Sequence, residues 1–460
     1  MLGVLTDTDF IQVSTAGGKR VLQSIPIPAE MSDLSALFLH AVQTGLTSVW
    51  VMPGSRFSCE ATCSFLEQND SVWEVVARPG QLDPTRPACA CVWRKVGAGR
   101  QGPILSLVFP EYGGWRWQLP NASTLLATVT YVEHALGMPA RCSLEQLALD
   151  LLKGLTVEAD ASWTRPPTID MPTSNGQTIP MLESAQPIVW MRPLTVTEWR
   201  MRYLHKYEHN TLDLEACAEV LLGAGNLLHS VNGRAYDGKL PGIWRVKAVT
   251  AGSLFDGKYL PSCIHGEWMC TPEVKCCTDI AYQVQVIEGY YWPESHRTLE
   301  RWATTLCKAH QRLTMAGTTY RHTQARTNVS HTIQAITQLG IGTLVDEKAP
   351  GGLYRPDWWA QITGQSRARM FTHMGTLVRR GYMPVLVDRH ALWFVSNDPH
   401  PLTAVPGLLS PGKSGGYKAA YETPLALSRE IKEAFRNTHS ADQLAMLLDT
   451  LAKQEEKVVQ

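Results

Sequence analysis

The spacing of apolar and polar positions along this chain divides it into two mixed α/β regions and a helical tail. Positions 10–15 and 20–27 alternate as strands do, around the Gly17-Gly18 turn. Asp33 opens a helix with the stripe Leu34, Leu37, Phe38 and Ala41, ending near Gly45. Positions 48–52 form an apolar strand stopped by Pro53-Gly54, and further strands fall at 88–96 and 104–109. Leu125, Leu126, Val129 and Val132 recur at helical spacing within 122–136. A second helix, 143–155, begins at Ser143 with Glu145 and Gln146 behind it, a capping arrangement. Residues 1–155 therefore read as one α/β domain. Residues 156–190, rich in Pro, Ser and Thr and without periodicity, read as a linker.

The second region, 191–420, reads as α/β with strands at 242–250 and 282–288 and helices at 213–222, 294–314, 328–339 and 357–380. Trp358, Ile362, Met370, Met374, Leu377 and Val378 mark the core-facing stripe of the last helix. Residues 421–460 carry two short amphipathic helices, a reduced helical tail.

The stretch 381–398, GYMPVLVDRHALWFVSND, holds two apolar, β-prone runs on either side of Asp388-Arg389-His390. This is the pattern of a tight hairpin that delivers polar side chains at its tip.

Composition narrows the class. The chain has 460 residues, 18% charged and 44% hydrophobic, enough for real cores and unlike a disordered or membrane protein. Its beginning lacks the layout of a signal peptide and no apolar run spans a bilayer, so a cytoplasmic location without membrane contact is expected. Net charge is zero, and any hold on nucleic acid has to come from a local basic face. Residues 301–390 supply one candidate, with 12 Lys/Arg against four Asp/Glu. The 11 cysteines show no disulfide or CxxC spacing; Cys263, Cys270, Cys276 and Cys277 with His265 are the densest group, and buried reduced thiols are the simpler reading.

The order of segments between 203 and 418 resembles the palm and fingers of the family B DNA polymerases, the protein-primed members above all. YLHKYEHNTLDLEAC, 203–217, resembles the first palm motif, Asp-x-x-Ser-Leu-Tyr-Pro-Ser, with Glu208 at the metal-binding Asp and Asp213 at the Tyr. GIWRVKAV, LPS and GEWMCTPEV, within 242–274, resemble the strand, Leu-Pro and Thr-x-x-Glu elements that follow. SHTIQAITQLGIGTL, 330–344, resembles the fingers helix Lys-x-x-x-Asn-Ser-x-Tyr-Gly, with Gly340 in place and Thr332 where the Lys stands. The hairpin resembles Tyr-x-Asp-Thr-Asp-Ser, with Asp388 kept and His390 at the second carboxylate. GGYK with Lys418 resembles the element that grips the primer terminus. The resemblance covers roughly half the chain, and the region 1–155 stands where these polymerases carry an RNase H-like exonuclease.

The resemblance implies magnesium or manganese held by Glu208 and Asp388, nucleotide contact at Thr332 and Asp213, and DNA contact by Arg312, Arg321, Arg326, Arg367, Arg369 and Lys418. It implies primer-template or single-stranded DNA as partner, together with a replication protein. The departures run against the chemistry. His390 removes a carboxylate and Thr332 removes a cation, and preorganised charge is the main resource of phosphoryl transfer. The expectation is a DNA-binding protein with a degenerate polymerase site, serving replication or maintenance of a chromosome or mobile element. An active polymerase with unusual metal ligands and an α/β protein unrelated to nucleic acid are the alternatives.

Overall fold

Strands with a continuous apolar run need both faces covered, and three such strands form the centre of the first sheet. The structure is a computed structural model. It describes residues 2–26, 48–59, 64, 73–77, 90–95, 104–156, 170–172, 178–180, 188–250, 268–279, 283–314, 322–349, 353–409 and 416–459, apart from one or two positions at a time within those ranges. The expected helix at 33–45, most of the 156–190 linker, Cys263, His265 and Arg321 lie outside the described residues. The chain divides into two compact units, residues 1–154 with 308–340, and residues 155–307 with 341–460.

The first unit is built on seven strands: β1 (Leu2–Leu5), β2 (Asp9–Ala16), β3 (Lys19–Pro26), β4 (Ser48–Val51), β5 (Trp73–Ala77), β6 (Ala90–Lys95) and β7 (Ile104–Val108). Their order is β3-β2-β1-β4-β7-β6-β5. The β1–β4 and β4–β7 pairs are parallel and the rest antiparallel. Val4, Leu5, Val49, Trp50, Leu107 and Val108 of the parallel centre are fully buried. Helix α1 (Ala122–Leu136) starts where Asn121 Oδ1 accepts the Thr124 N–H at 2.9 Å. It stops at Gly137, whose φ of 69° is the left-handed cap that glycine adopts without strain. Helix α2 (Leu144–Thr156) follows the Ser143 cap. The helix Thr323–Thr343 is fixed to this unit through Asn328, which bonds Gln118 and Thr128.

The second unit contains β8 (Val189–Met191), β9 (Tyr203–Glu208), α3 (Leu212–Glu219), β10 (Gly242–Thr250), α4 (Thr271–Asp279), β11 (Gln283–Tyr291), α5 (Pro356–Arg379), β12 (Leu386–Asp388), β13 (Ala391–Ser396), β14 (Lys418–Ala419), β15 (Leu425–Ala426), α6 (Arg429–Asn437) and α7 (Ala441–Val459). Its main sheet runs β8-β12-β13-β9-β14, with β15 also on β9. All of these pairs are antiparallel. Side chains alternate between faces, so one sheet serves two cores. Trp190, Val387, Leu392, Tyr207 and Phe394 pack on Met370, Phe371 and Met374 of α5. Leu386, Trp393 and Leu204 pack on Ile431 and Phe435 of α6 and Leu444 and Leu448 of α7. Strands β10 and β11 pair in a smaller sheet.

The helix expected at 328–339 extends over Thr323–Thr343, and two further boundaries are set by one strand pairing. The expected helix at 294–314 begins at Glu300, because Glu294–His296 pairs with Leu222–Ala224 as a strand after Trp292-Pro293. The 213–222 helix closes at Glu219 for the same reason, Leu222 being engaged in that pairing.

Leu448 is fully buried between α7 and the sheet. Leu448→Ala is expected to cost about 2–4 kcal/mol, through lost burial and a residual cavity. Urea unfolding followed by tryptophan fluorescence measures it, and a loss below about 1 kcal/mol would mean that α7 does not pack as a core helix.

Candidate functional site

The hairpin β12–β13 closes through Arg389 and His390 alone, with Asp388 paired to Ala391. Arg389 takes φ 52°, a conformation that favours glycine, and its N–H donates to Ile188 O at 2.7 Å. The His390 carbonyl accepts the His209 N–H at 2.9 Å. Both turn residues are thus tied to neighbouring backbone.

Register fixes which side chains share a face. Asp388 pairs with Ala391, Ala391 with Glu208, and Glu208 with Lys418, so Asp388, Glu208 and Lys418 lie in one cross-strand row. Glu208 and Asp388 do belong to one antiparallel sheet and one face. Lys206, two residues before Glu208, shares that face. Its Nζ lies 2.9 Å from Glu208 Oε1 and 3.0 Å from Asp449 Oδ1 of α7. Trp393 and Tyr421 stand 5.4 and 6.0 Å away as aromatic walls, and the Tyr421 hydroxyl donates to Asp449 at 2.7 Å. Burial alone would lower the Lys206 pKa, but Glu208 and Asp449 outweigh it and hold the ammonium charged. Burial raises Asp388, with Lys206 and Arg389 opposing and Asp449 and Asp442 adding to it.

His390 belongs to a second cluster. Its Nε2 is 3.1 Å from Asp213 Oδ2, and Asp213 Oδ1 accepts the Ser366 hydroxyl of α5 at 2.7 Å. Burial works against both charges, yet each partner stabilises the other: the Asp213 carboxyl falls and the His390 imidazole rises. His209, buried, stacks on His373 with ring centres 5.5 Å apart and meets Tyr417 edge-on at 5.0 Å. Burial, then repulsion from His373, Arg369 and His390, brings His209 down to about 3, so it is neutral near pH 7.

The residues of this region do not fit a two-metal centre. Hard divalent cations need several converging oxygens. Here Glu208 is taken by a lysine, and the histidine at the second position is held by Asp213. Among the described residues, no three His, Cys, Asp or Glu side chains converge with metal-binding geometry. Cys270 and Cys276 direct their thiols to the Ala360 and Ala368 carbonyls of α5.

The expected phosphate contacts divide. Arg367 turns inward, with Nη2 2.7 Å from the buried Glu273, so it is a core ion pair rather than a DNA contact. Arg369 bridges Glu215 and Glu219 of α3. Arg326 donates to Leu313 O within the first unit. Arg312, also in the first unit, and Lys418 are exposed, as is Arg389 at the hairpin tip. Thr332 is buried in the first unit, accepting the Trp117 indole N–H at 2.9 Å and donating to Asn328 O. Asp213, expected beneath a nucleotide sugar, is the partner of His390.

Sequence reasoning missed Lys206, His209, Ser366 and Asp449. Lys206 had a signal, the two-residue strand repeat from Glu208; Asp449, 243 residues further on, had none.

The sheet and its hairpin belong to a mixed α/β chain whose second unit is built on an antiparallel sheet. Among solved structures it is similar to phi29 DNA polymerase with primer-template DNA and incoming nucleotides, at TM-score 0.46 and 10% identity over 92% of this chain and 85% of that one. The phi29 enzyme in its post-translocation binary complex with primer-template gives TM-score 0.45 and 9% identity over 92% and 86%. The same enzyme with single-stranded DNA gives 0.41 and 9% over 92% and 86%. No protein-family model and no curated protein matches this chain. Among the described residues, no helix is long and apolar enough to cross a membrane.

The His390–Asp213 pair sets a pH window. A raised imidazole contributes fully below its unfolded value of about 6.5 and loses that contribution as pH rises through the folded value. A lowered carboxylate contributes above about 3.9 and loses it as pH falls through the folded value. The melting-temperature deficit of His390→Ala is therefore expected to peak between about pH 4.5 and 6.5 and to shrink in alkali. A deficit that grows steadily from acid to alkali would show that the imidazole is not charged in the fold.

Proposed function

We propose that this chain is a DNA-binding protein on a polymerase-type palm whose nucleotidyl-transfer site has given up its catalytic metals. The observation that carries this reading is the Lys206 ammonium, at 2.9 Å from Glu208 and 3.0 Å from Asp449. A lysine there supplies a permanent single charge that cannot polarise a phosphoryl oxygen or bring two substrates together as paired divalent ions do. Asp388 shares the face, but its neighbour at the tip, His390, is engaged by Asp213. The motif order along 203–418 and the exposed Arg389 and Lys418 near the row favour contact with a DNA backbone. In this reading the protein holds primer-template or single-stranded DNA during replication or maintenance of a chromosome or mobile element, with a replication protein beside it.

Purified protein is expected to add no nucleotides to a primer-template with magnesium, and millimolar magnesium or manganese should leave its melting temperature unchanged. Lys206→Met is expected to lower stability by about 1–3 kcal/mol, because Glu208 and Asp449 lose their shared cation. Magnesium-dependent extension abolished by Asp388→Ala would sink the proposal and restore the active-polymerase alternative.

Binding is the second measurement. Anisotropy of a labelled primer-template should rise with protein at low salt and fall steeply as salt increases. Arg389→Glu with Lys418→Glu should weaken it about tenfold or more, since two phosphate contacts become repulsions. Absence of binding at low salt would leave the unrelated α/β reading.

A further inference from the structure

The amine of Lys206 is aimed at a carboxyl carbon. Its Nζ lies 3.0 Å from Asp449 Oδ1 and 3.1 Å from Oδ2, so it faces the carboxyl group as a whole rather than one oxygen. Such a pair sets the nitrogen at roughly the 3–3.5 Å from carbon that a near-attack arrangement requires. An ordinary ion pair needs only this much.

Three neighbours add what amide formation needs beyond it. Glu208 Oε1, 2.9 Å from Nζ, is placed to take a proton from the ammonium, which otherwise has no lone pair to offer. The Tyr421 hydroxyl donates to Asp449 Oδ1 at 2.7 Å, where charge gathers when a nucleophile adds to the carboxyl carbon. Trp393, fully buried, shields the amine at 5.4 Å, and Leu204, Leu444 and Leu448 belong to the same apolar core. The Lys206 side chain is only 8% exposed, and low hydration favours a neutral amide over two opposite charges. Asp449 is 29% exposed, which gives a released water a way out.

We propose that Lys206 and Asp449 condense to an isopeptide bond, a covalent tie between β9 and α7. Glu208 takes one ammonium proton, and the freed lone pair forms the bond from Nζ to Asp449 Cγ. The Cγ–Oδ2 bond breaks, and Oδ2 leaves as water with two protons that began on the ammonium, one of them delivered by Glu208. The third proton stays on the amide nitrogen. The two opposite charges cancel, Glu208 ends as it began, and no oxidant, reductant or co-reactant is consumed. The ion pair is the reactant of this step, and the amide N–H keeps a donor beside Glu208 afterwards. The linked residues stand 243 positions apart, so the bond closes more than half of the 460-residue chain into a loop. A chain closed in this way has less freedom to gain on unfolding. The bond forms whether or not the protein holds DNA.

The test is the intact mass of the full-length protein under denaturing conditions, followed during incubation of the folded protein at neutral pH. A species lighter by one water is expected to accumulate. Its tryptic digest should contain a branched peptide joining the Lys206 and Asp449 segments, with no cleavage after Lys206. Lys206→Arg, which keeps the positive charge but offers no amine, should hold the full mass. Glu208→Gln should slow the linkage about a hundredfold or more, through loss of the acid–base group. An unchanged mass and no branched peptide in protein that unfolds cooperatively would overturn the proposal and leave an ion pair only. Loss of water that persists in Lys206→Arg would overturn it as well, since the dehydration would then lie elsewhere in the chain. Linkage at an unchanged rate in Glu208→Gln, or in urea-unfolded protein, would overturn the chemistry assigned to this geometry.

Discussion

A charged amine on a buried strand face must be neutralised, and the chemistry of the second unit follows from how Lys206 is. Its charge is met by Glu208 from its own strand and Asp449 from α7. The first partner is local, fixed by the strand repeat of two. The second is far along the chain and has to be carried in by packing. The ion pair therefore ties the last helix to the sheet, where Leu444, Leu448 and Trp393 supply the apolar part of the same contact. Charge and core burial act on one interface, and removing either loads the other.

The same alternation separates two chemistries with a single residue between them at the hairpin. Asp388 belongs to the register row that carries Glu208 and Lys418, on the face that α7 covers. His390 leaves that row, because the two-residue turn with Arg389 at φ 52° redirects the chain, and it meets Asp213 and Ser366 from α3 and α5. A hairpin that would deliver two like charges to one ion instead delivers an acid to a lysine-bearing face and a base to an aspartate. Glu208 and His390 each meet an opposite charge within the protein.

Much of this was legible in the residues. The apolar strand runs at 48–52 and 104–109, the helix at 122–136, the Ser143-capped helix and the hairpin around Asp388 all appear where periodicity and the Ser143 cap place them. The opening strand Leu2–Leu5 was not, since four apolar-rich residues give no period to read. The partners of Arg367 and Arg369 were not legible, for a related reason. Their positive charge is plain in sequence, but Glu273, Glu215 and Glu219 neutralise it across 94 to 154 residues of chain. A count of charges along a segment cannot register partners brought in by the fold.

Thr332 makes the same argument from the opposite direction. As a motif position it reads as a lost cation beside a nucleotide; in the fold its hydroxyl is saturated by Trp117 and Asn328 in a buried helix face. A lysine placed there would lose both bonds and bring an unpaired ammonium into an indole wall, a cost of several kcal/mol. The departures from the polymerase pattern are therefore built into the packing around them. Glu208 has a lysine as partner, His390 an aspartate and Thr332 a tryptophan. These positions form a set of mutually satisfied contacts, and function there has to be sought in what they hold together.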